Sequence, residues 1–406
     1  MVSILNSPLR ILVAMSGVYG SQIDLESNVR QLVELARRGN EVTCVVATLG
    51  NAHPNLSNVP SFRFSAIPIR KVIPIISLVL AQLITFWRCL REIPRYEALV
   101  LDGYSCPLLL PVLVLNRFFK GAPVVLLRMA SNPVETGGKL RTIMVESIFN
   151  LSIKLSAIFF DRLFFISPML GEMYASKLHF TKEKISVWPS AVDTNVFDPR
   201  AIPDTRKLRL ELGLYARRGF LYHGVLSGGR GIMEMVEAFR ILQGQLAKVR
   251  LILLGSGPLK NDIDRYIEAN NLEDYVEVCG PVDYSAVPTY IAACDAGLMA
   301  LPDHPWWRYQ CPTKVLEYLA MNKPLIVSDI PAHRWLLDSI SLAFYMRGTS
   351  PSEIARAVNV FFKSGDARGS NLGRDLAKPF SMEEIAKRLE LEIRMLTRDK
   401  AGSHRN

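Results

Sequence analysis

The sequence predicts two α/β domains, each a parallel sheet wrapped by helices, and three observations predict it. Short apolar runs alternate with helical patterns through both halves of the 406 residues, which is the order of βαβ units rather than of sandwiches or bundles. A glycine-rich stretch follows the opening strand pattern of each half, at residues 16–21 and again at 224–231. Between the halves, residues 185–204 turn polar and turn-forming. That break places a hinge and gives domains of 1–200 and 201–378, each long enough to bury its own core.

In the first half, residues 9–14 (LRILVA) read as a strand and residues 16–21 as a glycine loop. An amphipathic helix follows over 25–38, stopped by Gly39-Asn40, and then a second strand over 41–47. This is a βαβ unit. Gly17 and Gly20 let backbone approach a ligand at the sheet's carboxyl edge, where open α/β sheets bind; a plain tight turn is the competing reading. Further strands are expected over 98–101, 123–127 and 162–166. Their trailing loops put two ionisable groups, Asp102 and Arg128, on that edge, as site residues or as rim charges. Residues 72–87 form the longest uncharged apolar run, flanked by Arg70 and Lys71 and by Arg88, Arg91 and Arg95. It suits a helix lying in the interface of an anionic bilayer, and equally a buried core helix.

In the second half, a strand over 220–223 enters Gly224-Val225-Leu226-Ser227-Gly228-Gly229-Arg230-Gly231, and a helix follows over 232–243. That is a phosphate-cradle layout, with Arg230 supplying charge and fork geometry. A strand over 249–254 leads to the Gly255 turn, and one over 274–279 leads to Gly280-Pro281-Val282. Residues 298–329 then give a strand end, a loop closing on Cys311-Pro312-Thr313-Lys314, a helix and a buried strand. Pro312 and Thr313 suit the helix's first turn, since proline needs no amide partner there and a hydroxyl accepts one. The helix therefore opens toward an anion, phosphate foremost, with Glu317 one turn in and placed for sugar hydroxyls. The competing reading is a strand–loop–helix unit whose Lys and Glu are merely solvated. Residues 379–398 form a last amphipathic helix, with Ser381 as N-cap and Glu384 at the capping-box position.

Composition narrows the partners. A net charge of +10 with 49% hydrophobic residues suits anionic partners such as phosphorylated substrates or acidic membranes. Nucleic acid is disfavoured, because no zinc-finger spacing or RNP motif is present. The six cysteines contain no CxxC and the six histidines no HxxxH. Reduced, mostly buried thiols in the cytoplasm are expected, with no disulfide framework and no metal site. Arg10 interrupts the N-terminal apolar stretch, so it does not read as a signal peptide.

Taken in order, the segments WPSAVDTNVFDP, LYHGVLSGGRGIMEMVEAF, LILLGSGPL, VEVCGPVDYSAVPTYIAACDAGLM and CPTKVLEYLAMNKPLIVSD resemble the retaining nucleotide-sugar glycosyltransferases of family four. The N-terminal GVYGSQIDLESNVRQLVELARRGNEVTCV is similar to that family too. The resemblance implies the GT-B fold: two Rossmann-like doubly wound domains facing across a cleft, with residues 379–406 crossing back to the first. It implies a donor site in which Gly20 and Arg230 meet the phosphates and Gly280 to Val282 meet the base. Gly224, Gly255, Thr313, Lys314 and Val315 complete that site, and Glu317 holds the ribose. Three positions depart from the family pattern. Val225 stands where a second basic residue is usual, Tyr309 where a first Glu contacts the donor sugar, and Arg128 or Met129 near the place of a histidine.

The reaction so implied moves a sugar from a nucleoside diphosphate to a hydroxyl with retention, through a front-side, oxocarbenium-like ion pair. Arg230, Lys314 and Glu317 are its expected catalytic groups, with Arg128 and Asp102 in the first domain. No metal or other cofactor is expected. The acceptor is expected to be a glycan or glycolipid, lipid-linked and met at the cytosolic membrane face. Two alternatives stand beside this: a nucleotide-sugar epimerase on the same fold, and a non-catalytic nucleotide-binding partner of another transferase.

Overall fold

A computed structural model describes residues 7–19, 26–49, 59–69, 83–85, 87, 91–103, 113–114, 116, 122–130, 139–202, 204–246, 248–339, 341–364 and 372–403. The chain forms two compact units, Met1–Ala191 with Met382–Asn406, and Val192–Ser381. The first cut falls before the expected boundary at 200. The reason is local: Val192 donates its amide to the Phe380 carbonyl and bridges to Ser381, so the last part of the polar stretch joins the second unit.

The first unit is built on seven strands, β1 (Arg10–Tyr19), β2 (Glu41–Leu49), β3 (Phe62–Ile69), β4 (Ala98–Asp102), β5 (Val124–Met129), β6 (Arg162–Phe165) and β7 (Ile185–Val187). Their order is β3-β2-β1-β4-β5-β6-β7, and every pairing is parallel. The first strand corrects the sequence reading. Residues 16–19 are not a loop but continue β1, with a slip in register between Met15 and Val18. Val18 and Tyr19, β-favouring residues, pair with Ala47 and Thr48, and β2 runs on to match. Gly20 lies outside the described residues, as does most of the 72–87 segment.

Helix Glu26–Arg37 packs on this sheet through Val29, Leu32, Val33 and Ala36. The C-terminal helix Met382–Ser403 joins the same core with Met382, Ile385, Ala386, Leu389 and Ile393, one stripe at helical spacing. Arg38 pairs with Glu390 at 2.7 Å, and Lys400 reaches the Pro123 carbonyl at 2.9 Å, so polar contacts hold the helix near its middle and near its C-terminal end. Helices Lys139–Ser156 and Pro168–Leu178 and strand β3 were not foreseen.

The second unit holds six strands, β8 (Arg218–His223), β9 (Val249–Leu254), β10 (Val276–Cys279), β11 (Ala296–Met299), β12 (Leu325–Ser328) and β13 (Ala343–Met346). Their order is β10-β9-β8-β11-β12-β13, again all parallel. The order reverses direction between β8 and β11, and in the first unit between β1 and β4. Such switch points leave a crevice at the strands' carboxyl ends, where open α/β sheets take ligands.

Candidate functional site

At the switch point of the second unit, β8 ends in His223 and the chain turns at Gly224, whose φ is +124°. Only glycine adopts that angle easily. A Cβ there would also sit 2.5 Å from Lys314 Cε and 2.9 Å from its Nζ. The side chain of Lys314 thus lies against the backbone of the glycine loop. Gly255 follows β9 with a φ of +143°, and a Cβ on it would meet the Gly224 carbonyl oxygen at 2.1 Å. Backbone bonds stitch the three loops together: the Gly224 amide donates to the Leu254 carbonyl, and the Gly255 amide to that of Cys279. Gly280-Pro281-Val282 continues from that point, with Val282 half-buried.

Within the loop, Arg230 Nε donates to Ser227 Oγ at 3.1 Å, and the guanidinium carbon lies 5.0 Å from the centre of the Trp307 ring. Trp307 in turn donates its indole Nε1–H to the Gly229 carbonyl at 2.8 Å. It sits on the short helix Pro305–Arg308, whose cap is the His304 imidazole accepting from the Trp306 amide.

Helix Thr313–Ala320 opens beside this loop and carries Lys314 and Glu317. Pro312 takes the cap position rather than the first turn, and no side-chain capping bond forms, which corrects the role read for the Thr313 hydroxyl. Val315 is fully buried and its amide already bonds to the Pro312 carbonyl, so its place is in the core. Glu317 is only 5% exposed. Its Oε2 stands 3.4 Å from His223 Nε2, which makes no hydrogen bond among the described residues. Burial, reinforced by the positive charge of Lys314, holds the His223 imidazole well below the usual histidine range. It is therefore neutral at pH 7, and the contact is not an ion pair.

The sequence reading thus brought Gly224, Arg230, Gly255, Val282, Thr313, Lys314 and Glu317 to one sheet edge. It missed His223, Ser227 and Trp307. His223 had a signal, since it closes the strand immediately before the glycine loop. Trp307 had none beyond the aromatic pair in Pro305-Trp306-Trp307.

Asp102 and Arg128 lie in the first unit, side by side in register on β4 and β5 at its own switch point. With Asn28, Met15, Ala130 and Trp188 they line a small pocket. Arg128 is 8% exposed. Its Nη2 donates to Asn28 Oδ1 at 2.9 Å, its guanidinium lies 4.4 Å from the centre of the Trp188 ring, and its Nε has no hydrogen-bond partner among the described residues. Burial brings its pKa down to about 10, against the opposing charge of Asp102. Among the described residues no cluster of His, Cys, Asp and Glu is arranged to hold a metal.

Residues 217–363 match the family described as glycosyl transferases group 1. The match lies within the second unit and takes in 147 of the 406 residues. Curated relatives agree with it. The chain is 27% identical over 160 residues to an alpha-D-kanosaminyltransferase of Streptomyces kanamyceticus, covering 38% of this chain and 40% of that one. It is 25% identical over 214 residues to TuaH of Bacillus subtilis (strain 168), a glycosyltransferase assigned to teichuronic acid biosynthesis, covering 52% and 51%. The chain thus spans about half or less of the length of these relatives. Among solved structures, Anabaena HepE in complex with UDP superimposes with a TM-score of 0.70 at 13% identity, covering 95% of this chain and 99% of that one. WaaG, a glycosyltransferase involved in lipopolysaccharide biosynthesis, gives 0.69 at 13% identity, covering 94% and 99%. Likeness at that identity speaks for the fold, which is GT-B.

Proposed function

We propose that the protein is a retaining glycosyltransferase that uses a nucleoside-diphosphate sugar. The observation that carries this reading is the convergence of Arg230, Lys314 and buried Glu317 on the glycine loop at the β8 edge. A diphosphate needs cations and backbone amides, and a ribose needs a carboxylate; this edge offers each. The relative solved with UDP makes uridine the first base to try.

In the proposed reaction the bond between the anomeric carbon and the β-phosphate oxygen breaks, and the acceptor oxygen bonds to the same face of that carbon. The acceptor's proton passes to the departing phosphate oxygen. Negative charge grows on the diphosphate, so cations held in place before reaction contribute most. Arg230 and Lys314 fill that role, and Glu317 orients the donor. No residue is required as a covalent nucleophile, unlike the close carboxylate pair of retaining glycosidases.

The acceptor is proposed to be a lipid-linked glycan or glycolipid met at an anionic membrane surface. Support comes from the charge of +10 and from apolar side chains left exposed in the first unit. Ile148, Leu151, Leu155 and Ile158 recur at helical spacing, and Leu83, Ile84 and Trp87 are exposed in the flanked apolar segment. Among the described residues no helix is long and apolar enough to cross a membrane. Flotation with anionic vesicles at low salt tests this part, and its failure removes the lipid acceptor only.

The donor reading is tested by thermal shift and donor hydrolysis with UDP, GDP, ADP and dTDP sugars. One donor should stabilise the protein, and Glu317→Ala and Arg230→Ala should each abolish the effect. Stabilisation that survives both variants would refute the site.

A further inference from the structure

We infer that Trp307 is a positioning residue for diphosphate recognition: its indole holds both the backbone before Arg230 and the guanidinium itself, so that the cation is set before the ligand arrives. The inference rests on the donor-site reading above and adds a residue to it.

Arg230 is the only basic residue between Gly224 and Gly231, and Val225 supplies no second charge. A lone arginine on a glycine-rich loop would ordinarily sample many rotamers, and ordering it on binding costs affinity. Here it is constrained at three points. Its Nε is taken by Ser227 Oγ at 3.1 Å. Its guanidinium lies over the Trp307 ring, 5.0 Å from the centroid, in a cation–π arrangement. The carbonyl of the preceding residue, Gly229, accepts the Trp307 Nε1–H at 2.8 Å.

With Nε occupied, the two Nη groups make no hydrogen bond to the protein among the described residues. They are the planar pair that suits two phosphate oxygens. Trp307 is itself braced by its short helix: His304 caps it, Asp303 pairs with Arg308 at 2.8 Å, and Trp306 packs edge-on to Trp307 at 6.1 Å. An anchor with its own supports, touching both the site residue and the backbone just before it, is what preorganisation requires.

The test is calorimetric binding of UDP and UMP to the full chain, as parent, Trp307→Phe, Trp307→Ala and Arg230→Ala. Phenylalanine keeps a ring but loses the bond to Gly229, and should weaken UDP about fivefold, the worth of one net hydrogen bond. Alanine loses the stack as well, and should weaken UDP about tenfold or more. UMP, which lacks the second phosphate, should change little, so the UDP preference over UMP shrinks in both variants. In the Arg230→Ala background, Trp307→Ala should add almost nothing. Equal weakening of UMP and UDP would mean a general structural role and overturn the inference, as would additive losses in the double variant. No binding of UDP, GDP or ADP by the parent would overturn the donor-site reading, and this inference with it.

Discussion

Replacing Gly224 by alanine asks whether Lys314 belongs to the donor site. The new Cβ would stand 2.5 Å from Lys314 Cε and 2.9 Å from Nζ, closer than such contacts run. What it meets is the far end of a flexible side chain, so Lys314 can swing aside at small cost. The stability loss comes from the backbone instead: a φ of +124° strains any residue with a Cβ, by about 1–3 kcal/mol. Function should suffer more. Moving the ammonium away removes a charge-assisted contact worth about 1.5–3 kcal/mol, or about ten- to a hundredfold in nucleotide affinity. Gly231→Ala is the control, because its Cβ would press to 2.1 Å on the Ala300 carbonyl, which is backbone and cannot yield. That variant should lose mainly stability. Urea unfolding gives one axis and calorimetric UDP titration the other. If Gly224→Ala folds and binds UDP within about twofold of the parent, a difference under 0.5 kcal/mol, Lys314 does not touch the phosphates.

Three further outcomes follow from buried groups. Burial brings the His333 imidazole down to about 4, while the unfolded chain binds that proton near 6.5. Stability contributed by the neutral ring is complete above that unfolded value and should fall by about 3 kcal/mol as pH drops toward 4; urea melts of His333→Gln at pH 7.5, 5.5 and 4.5 should show a shallower slope. Ile393 is fully buried in the first unit's core, so Ile393→Ala should cost about 2–5 kcal/mol in the same assay, and a loss below 1 would deny the C-terminal helix its place there. Arg128→Met keeps much of the shape of the buried side chain and removes its charge, its bond to Asn28 and its stack on Trp188. It should change stability by about 1 kcal/mol or less, and a loss above 3 would mean that the guanidinium's bonds to its surroundings outweigh its desolvation.

How much of this was legible in the sequence depends on how local each signal is. The strands β8, β9 and β12 were legible because each is a short apolar run bounded by glycine or proline. Gly224, Arg230 and Glu317 were legible because a glycine loop before a helix, and a carboxylate one turn into another, are patterns within a few residues. β1 was misread at its end because glycine ordinarily punctuates a strand. Here the partner strand β2 continued and pairing carried Val18 and Tyr19 with it, a contact about thirty residues away in sequence that no local rule contains. Helix Lys139–Ser156 escaped for the opposite reason: it carries apolar residues on an exposed side (Ile148, Leu151, Leu155) as well as a buried one (Phe149, Ile153), so no apolar face stands out against a polar one. Trp307 was the least legible of the site residues. Its meaning lies in a bond to Gly229 and a stack on Arg230, both about eighty residues away, and these exist only because β8 and β11 are neighbours in the sheet. The chemistry-bearing residues were written locally; the residue that orients one of them was written by topology. A search of the sequence for cations and carboxylates finds the first kind and passes over the second.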